Sequence, residues 1–211
     1  MEDKKQKGES NPTKGISRRS FIRGAGLSTA GSVLMTTNAF ALDYKEQLVA
    51  GEEFGPDAMT IKMKVNGITK SLSVEPRTTL ASALRDHLEL TGTKVVCDRG
   101  SCSACTVYLD GEPVNSCMLS VFDVGEKEVT TIEGIAKNGE LHPVQQAFIE
   151  HDASQCGYCT PGMVMSCVHL VDNNPNPDLE DVKMATRGNL CRCGTHPHVF
   201  KATLDASKKT I

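Results

Sequence analysis

Between Met59 and Val74 apolar and polar residues alternate on either side of Asn66-Gly67. A period of two broken by an Asn-Gly pair predicts two antiparallel strands, Met59 to Val65 and Ile68 to Val74, joined by a tight turn. The period then lengthens: Leu80, Leu84 and Leu88 recur at helical spacing, with Thr78 or Thr79 placed to cap a helix that ends before Gly92. Thr106-Val107-Tyr108-Leu109 reads as a strand, Asp110-Gly111 as a turn, and Val114 to Phe122 as a returning strand.

From His142 onward the alternation disappears. Four helices are predicted, over Pro143 to His151, Pro161 to Val171, Leu179 to Arg187 and Pro197 to Lys208. Three begin with proline, whose missing N–H costs nothing in a first turn, and Asp178 with Asp181 three residues on forms a capping pattern for the other. The expected fold class is α+β, with a strand-rich domain at 59–136 and an all-helical domain at 137–211.

Residues 1–41 differ in kind. A polar, Lys-rich start leads into Ser17-Arg18-Arg19-Ser20-Phe21-Ile22-Arg23 and then a mildly apolar run from Ala25 to Ala41, diluted by Gly, Ser and Thr and ending in Ala39-Phe40-Ala41. Paired arginines before a weakly apolar stretch are the pattern of a twin-arginine export signal, with periplasmic delivery expected. The run falls short of the roughly 20 strongly apolar residues of a spanning helix, so no stable membrane anchor is expected. Residues 42–58 read as a polar linker.

The leader holds seven Lys and Arg against three Asp and Glu, so the total of −3 leaves −7 on the rest of the chain. An acidic remainder excludes general nucleic-acid binding. With no Trp and only nine Phe and Tyr, two small domains have little aromatic mass for their cores, and bound metal would help hold them together.

Eight of the nine cysteines form two quartets of different spacing: Cys97, Cys102, Cys105 and Cys117, then Cys156, Cys159, Cys191 and Cys193. The first three reproduce the C-x4-C-x2-C spacing of plant-type 2Fe-2S sites, with a distant fourth. Gly100, Ser101, Ser103 and Ala104 keep that loop small, so backbone amides can reach cluster sulfurs. The twin-arginine route passes folded, cofactor-loaded proteins, which reconciles so many thiolates with an oxidising destination.

The segments Gln155-Cys156-Gly157-Tyr158-Cys159-Thr160-Pro161-Gly162 and Gly188-Asn189-Leu190-Cys191-Arg192-Cys193 closely resemble the small iron–sulfur subunit of molybdenum hydroxylases, the xanthine dehydrogenase and aldehyde oxidoreductase family. The resemblance covers about Met59 to Lys208. It implies a β-grasp plant-type ferredoxin domain followed by a four-helix bundle, two 2Fe-2S clusters, and a large partner subunit that binds molybdopterin. It implies that Cys156, Cys159, Cys191 and Cys193 hold the cluster proximal to molybdenum, and Cys97, Cys102, Cys105 and Cys117 the distal one. It also implies pterin contacts from Gln155 and Cys193, and an electron acceptor that is a FAD subunit or a cytochrome c.

Two departures stand out. Ser103 occupies a position where glycine is usual in the family and could add a hydroxyl near the distal cluster, and Gly194-Thr195-His196 replaces a more usual Thr-Gly-Tyr. Neither removes a thiolate, but the second leaves the chain path after Cys193 open.

Several residues have plainer readings. Zinc would suit four thiolates, but a plant-type quartet in the same chain favours iron–sulfur loading at both sites. Cys167, on a helix with Val164, Val168 and Val171, reads as a small core residue. His196 and His198 could ligate as in Rieske centres, yet four thiolates are already present, so they are expected to face solvent or a partner. The competing functional class is a free-standing 2Fe-2S carrier or redox sensor, which would expose one cluster on a charged face and need no partner.

Overall fold

The computed structural model describes residues 55–209, with Ser17 and Arg19 as isolated positions. Compactness divides the chain into Met1–Glu53 and Phe54–Ile211, and the fold lies in the second unit. Apart from those two positions, the stretch expected to be an export signal and most of the expected linker fall outside the described residues.

The strand-rich lobe is built on the expected hairpin. β1 (Met59–Val65) and β2 (Ile68–Val74) pair antiparallel with Val65 opposite Ile68. Asn66 and Gly67 turn the chain with φ of 50° and 80°, a left-handed pair that Asn tolerates and glycine adopts freely. The alternation places Met63, Val65, Leu72 and Val74 inward and leaves their neighbours exposed.

A five-stranded mixed sheet runs β2-β1-β5-β3-β4, with β3 (Thr106–Leu109), β4 (Glu112–Asn115) and β5 (Glu128–Thr130). β1 and β5 are parallel, and β3 pairs antiparallel with both β4 and β5. The expected helix after Thr79 is shorter and looser than its periodicity implied. Thr79 does cap it, accepting from Ser82 N at 3.2 Å, but α1 (Leu80–Ser82) passes at once into a π-helical turn at Ala83–His87. Leu80 and Leu84 are nonetheless fully buried on the sheet, each contributing about 1.5–3 kcal/mol.

The helical lobe holds α2 (Pro143–Glu150), α3 (Thr160–Asn173), α4 (Leu179–Thr186) and α5 (His196–Lys209). Asp178 and Asp181 form the expected capping box of α4. A second box, unforeseen, starts α2, where the His142 ring accepts from Val144 N and Gln145 Oε1 accepts from His142 N at 2.9 Å.

The lobes share buried residues. Tyr108 of β3 belongs to the helical core with Phe148, Met163, Met165, Val168 and Val199, and its hydroxyl donates to the Met165 carbonyl of α3. Burial holds the Tyr108 phenol well above its ordinary range, so it remains a donor. Cys167 is fully buried in the same core, as its pattern predicted. Among the described residues no helix is long and apolar enough to cross a membrane.

Candidate iron–sulfur sites

Three members of the first quartet, Cys97, Cys102 and Cys105, lie on a loop whose backbone is repeatedly left-handed, at Asp98 (φ 51°), Gly100 (69°) and Ser103 (51°). Such reversals turn amides inward and form a concavity for anions. Gly100 N donates to Cys117 Sγ at 3.4 Å and Ser101 N to Cys97 Sγ at 3.3 Å. Upstream, the Arg85 guanidinium grips the carbonyls of Thr91 and Thr93 at 2.9 and 2.7 Å, fixing the segment that leads to Cys97.

Cys117 does not ride on a long returning strand. β4 stops at Asn115, and a 3-10 turn at Ser116–Met118 carries the thiol. The turn wins because the buried Ser116 hydroxyl donates to Cys105 O at 2.7 Å, while Asn115 Nδ2 reaches back to Gly100 O at 3.2 Å. Both bonds bind the turn to the cysteine loop, which a continuing strand would not reach.

The second quartet comes from two loops at helix ends. Cys156 and Cys159 precede α3, with Gly157 at φ 83° between them, and Cys191 and Cys193 join α4 to α5. Gly194 (φ 80°) then reverses the chain, and the buried Thr195 directs its hydroxyl at Cys191 Sγ, 3.1 Å away, and its N–H at the same sulfur, 3.5 Å away. The unusual Gly-Thr-His therefore brings a hydroxyl and an N–H to the Cys191 sulfur.

Within each quartet the thiols influence one another electrostatically in pairs: Cys97 with Cys102, Cys105 with Cys117, Cys156 with Cys193, and Cys159 with Cys191. The pairs are electrostatically uneven. The Arg99 N–H and the Cys102 thiol hold Cys97 down to about 7, whereas burial pushes Cys105 up to about 11. Burial also raises Cys159 to about 12. At Cys191 burial is outweighed by the Thr195 hydroxyl and N–H, and the thiol falls to about 6. The lowered thiols are ready thiolates, and loading metal displaces the remaining protons.

Two pairs of thiols per site suit a cluster of two irons, each held by two sulfurs. The donor chemistry thus fits 2Fe-2S clusters at both places.

The two sites open on one groove of about 540 Å³, whose walls include Cys97 and Cys102 from one quartet and Cys156, Cys159 and Cys191 from the other. Leu190 N donates to Cys102 O at 3.1 Å across it. Gln155 and Cys193 are both exposed, and Gln155 immediately precedes Cys156, the thiol that Cys193 acts on. His196 is half-buried and contacts Asn189 O at 3.0 Å, while His198 is exposed and contacts His151 O at 2.8 Å. Sequence reasoning overlooked Thr195 and Asn189. A Thr four residues after a ligand cysteine is a usable signal for the first; nothing local marks the second.

Comparison with known proteins accounts for nearly the whole described region. A 2Fe-2S iron–sulfur cluster binding domain model matches residues 63–132, and a 2Fe-2S binding domain model matches 131–204. The chain is 36% identical over 208 residues to the aldehyde oxidoreductase iron–sulfur-binding subunit PaoA of Escherichia coli, covering 91% of this chain and 88% of that one. It is 41% identical over 150 residues to the nicotine 6-hydroxylase small subunit of Paenarthrobacter nicotinovorans, covering 71% and 90%. A chain of quinoline 2-oxidoreductase from Pseudomonas putida 86 superposes with a TM-score of 0.70 at 36% identity, over 73% of this chain and 96% of that one. With both cluster-domain models matched and relatives this similar over most of their length, the chain belongs to the family of iron–sulfur electron-transfer subunits of molybdenum hydroxylase-type oxidoreductase complexes.

Proposed function

We propose that this chain carries electrons from a molybdopterin centre on a large partner subunit to a FAD subunit or cytochrome c, through two 2Fe-2S clusters, in an exported complex that oxidises an aldehyde or N-heterocycle. Cys156, Cys159, Cys191 and Cys193 would hold the proximal cluster and Cys97, Cys102, Cys105 and Cys117 the distal one. The clusters supply one-electron redox chemistry; the protein's own residues hold them, turn amides toward their sulfurs and set their surroundings.

The observation that carries this reading is the Leu190 N to Cys102 O bond. It joins the residue before one ligand to a ligand of the other quartet, a short route for electrons between two sites in one chain. Gln155 and Cys193, both exposed, are the groups proposed to meet the pterin. An apolar groove of about 540 Å³ lies beside them, walled by Phe148, Pro161 and Val164 with Leu141 and Ile149 exposed. A patch of that kind suits burial against a large subunit. The same reading takes the strand-rich lobe as β-grasp, the helical lobe as a four-helix bundle, and residues 1–41 as a twin-arginine signal for the periplasm.

Native purification with whatever accompanies the chain, assayed for iron, sulfide, molybdenum and zinc with low-temperature EPR, tests the proposal. About four irons per chain, two distinct 2Fe-2S signals and molybdenum in a larger partner support it. The same iron without molybdenum or partner would instead indicate a free carrier. Export is tested separately: with Arg18 and Arg19 both changed to Lys, the complex should remain in the cytoplasm.

A further inference from the structure

We infer that Ser103 is a positioning residue that sets the separation of the two clusters, clasped from the helical lobe by Gly162, Gly188 and Asn189. The inference rests on the two-cluster reading above and concerns how the clusters are held relative to one another.

Ser103 lies between Cys102 and Cys105, with φ of 51°, a conformation strained for serine. Its hydroxyl packs on the opposite lobe, 2.9 Å from where a Cβ on Gly188 would stand. The Ser103 carbonyl accepts from Thr106 N at 3.3 Å and Thr106 Oγ1 at 2.8 Å within its own lobe, and from the buried Asn189 Nδ2 at 3.3 Å across the junction.

Gly162 completes the clasp. A Cβ there would overlap the Ser103 carbonyl oxygen and stand 3.0 Å from Ala104 Cα. These are backbone atoms, so nothing can swing aside. Gly162 sits in the first turn of α3, just after Cys156 and Cys159, and Gly188-Asn189 leads directly into Cys191 and Cys193. One residue of the distal loop therefore touches both segments that carry the proximal cysteines. Close-packed contacts of this kind transmit displacement instead of absorbing it.

The clasp makes two kinds of contact that substitutions separate. Gly188→Ala presses on the Ser103 side chain, and Ser103→Gly removes that side chain. Gly162→Ala presses on the Ser103 main chain, which Ser103→Gly leaves in place.

The experiment uses the purified native complex, fully reduced, with low-temperature EPR reading the magnetic interaction between the two clusters, which falls as the inverse cube of their separation. Gly188→Ala should narrow the inter-cluster splitting, and the Gly188→Ala/Ser103→Gly double variant should restore it. Gly162→Ala should narrow it without rescue by Ser103→Gly. Individual g-values and midpoint potentials should stay at wild-type values, which a general loss of folding would not allow. Unchanged splitting in both alanine variants with full iron overturns the inference. If Gly162→Ala does not load iron, Asn189→Ala decides, since it removes the inter-lobe donor without adding bulk: altered splitting supports the clasp and wild-type splitting refutes it. Wild-type protein with only about two irons per chain would sink the two-cluster reading itself.

Discussion

Leu190 N donates to Cys102 O at 3.1 Å, so the main chain beside one thiolate quartet is bonded to a member of the other. The Leu190 side chain is largely exposed and plays no part in that bond. Leu190→Ala should leave transfer between the clusters intact. Leu190→Pro deletes the donor, and should slow re-equilibration after rapid reduction while costing about 1–3 kcal/mol for the stranded carbonyl. Freeze-quench EPR and denaturant unfolding of the same preparations check both effects.

Tyr108 offers a second separation. Tyr108→Phe keeps the ring against His169, 5.9 Å away between centroids, but loses the bond to Met165 O, for an expected cost of about 0.5–1.5 kcal/mol. Tyr108→Ala also vacates the ring's place between the lobes and should cost about 3–5 kcal/mol. Shifts in denaturant midpoint at constant m-value are the measurement.

The cysteines should divide by role. Cys105→Ser and Cys159→Ser are each expected to cost one quartet its cluster, leaving about half of the iron and one of two EPR signals. Cys167 belongs to neither quartet and is fully buried, so Cys167→Ala should retain all the iron while lowering stability by about 1 kcal/mol. Removing iron by chelation under reducing conditions should lower the melting temperature, because the sites bind metal only when folded.

In the helical lobe Asp205 is held below its ordinary 3.8, first by His151 and then by Lys209, and Glu150 below its ordinary 4.5 by Lys209. Carboxyls depressed by folding contribute stability above their unfolded values and lose it as pH falls through the folded ones. The melting temperature should therefore drop on acidification below about pH 4.5. Asp205→Asn should drop less steeply over that range. The partners are solvent-exposed, so the difference will be small and will shrink further in high salt.

Much of this was legible locally. Asn66-Gly67 fixed the hairpin because the turn needs left-handed residues, and Asp178 with Asp181 marked a helix start by side chains that bond within one turn. What escaped depends on distant partners. β5 is only three residues long and is a strand because β1 and β3 flank it. The 3-10 turn under Cys117 exists because Ser116 and Asn115 bond to a loop that closes far from them in sequence. The cysteine spacing named the chemistry, yet Thr195 and Asn189 gained roles only when the loops met.

The bridging phenol of Tyr108 has a consequence for how this chain can be divided. Two sequence models abut near residue 131, which invites cutting there to obtain two portable modules. The cut would leave a strand displaying a large ring with nothing to cover it, and a helical half with a hole where that ring belonged. Each fragment would expose apolar surface that the intact chain buries. Residues 55–209 should therefore behave as a single cooperative block that melts in one step.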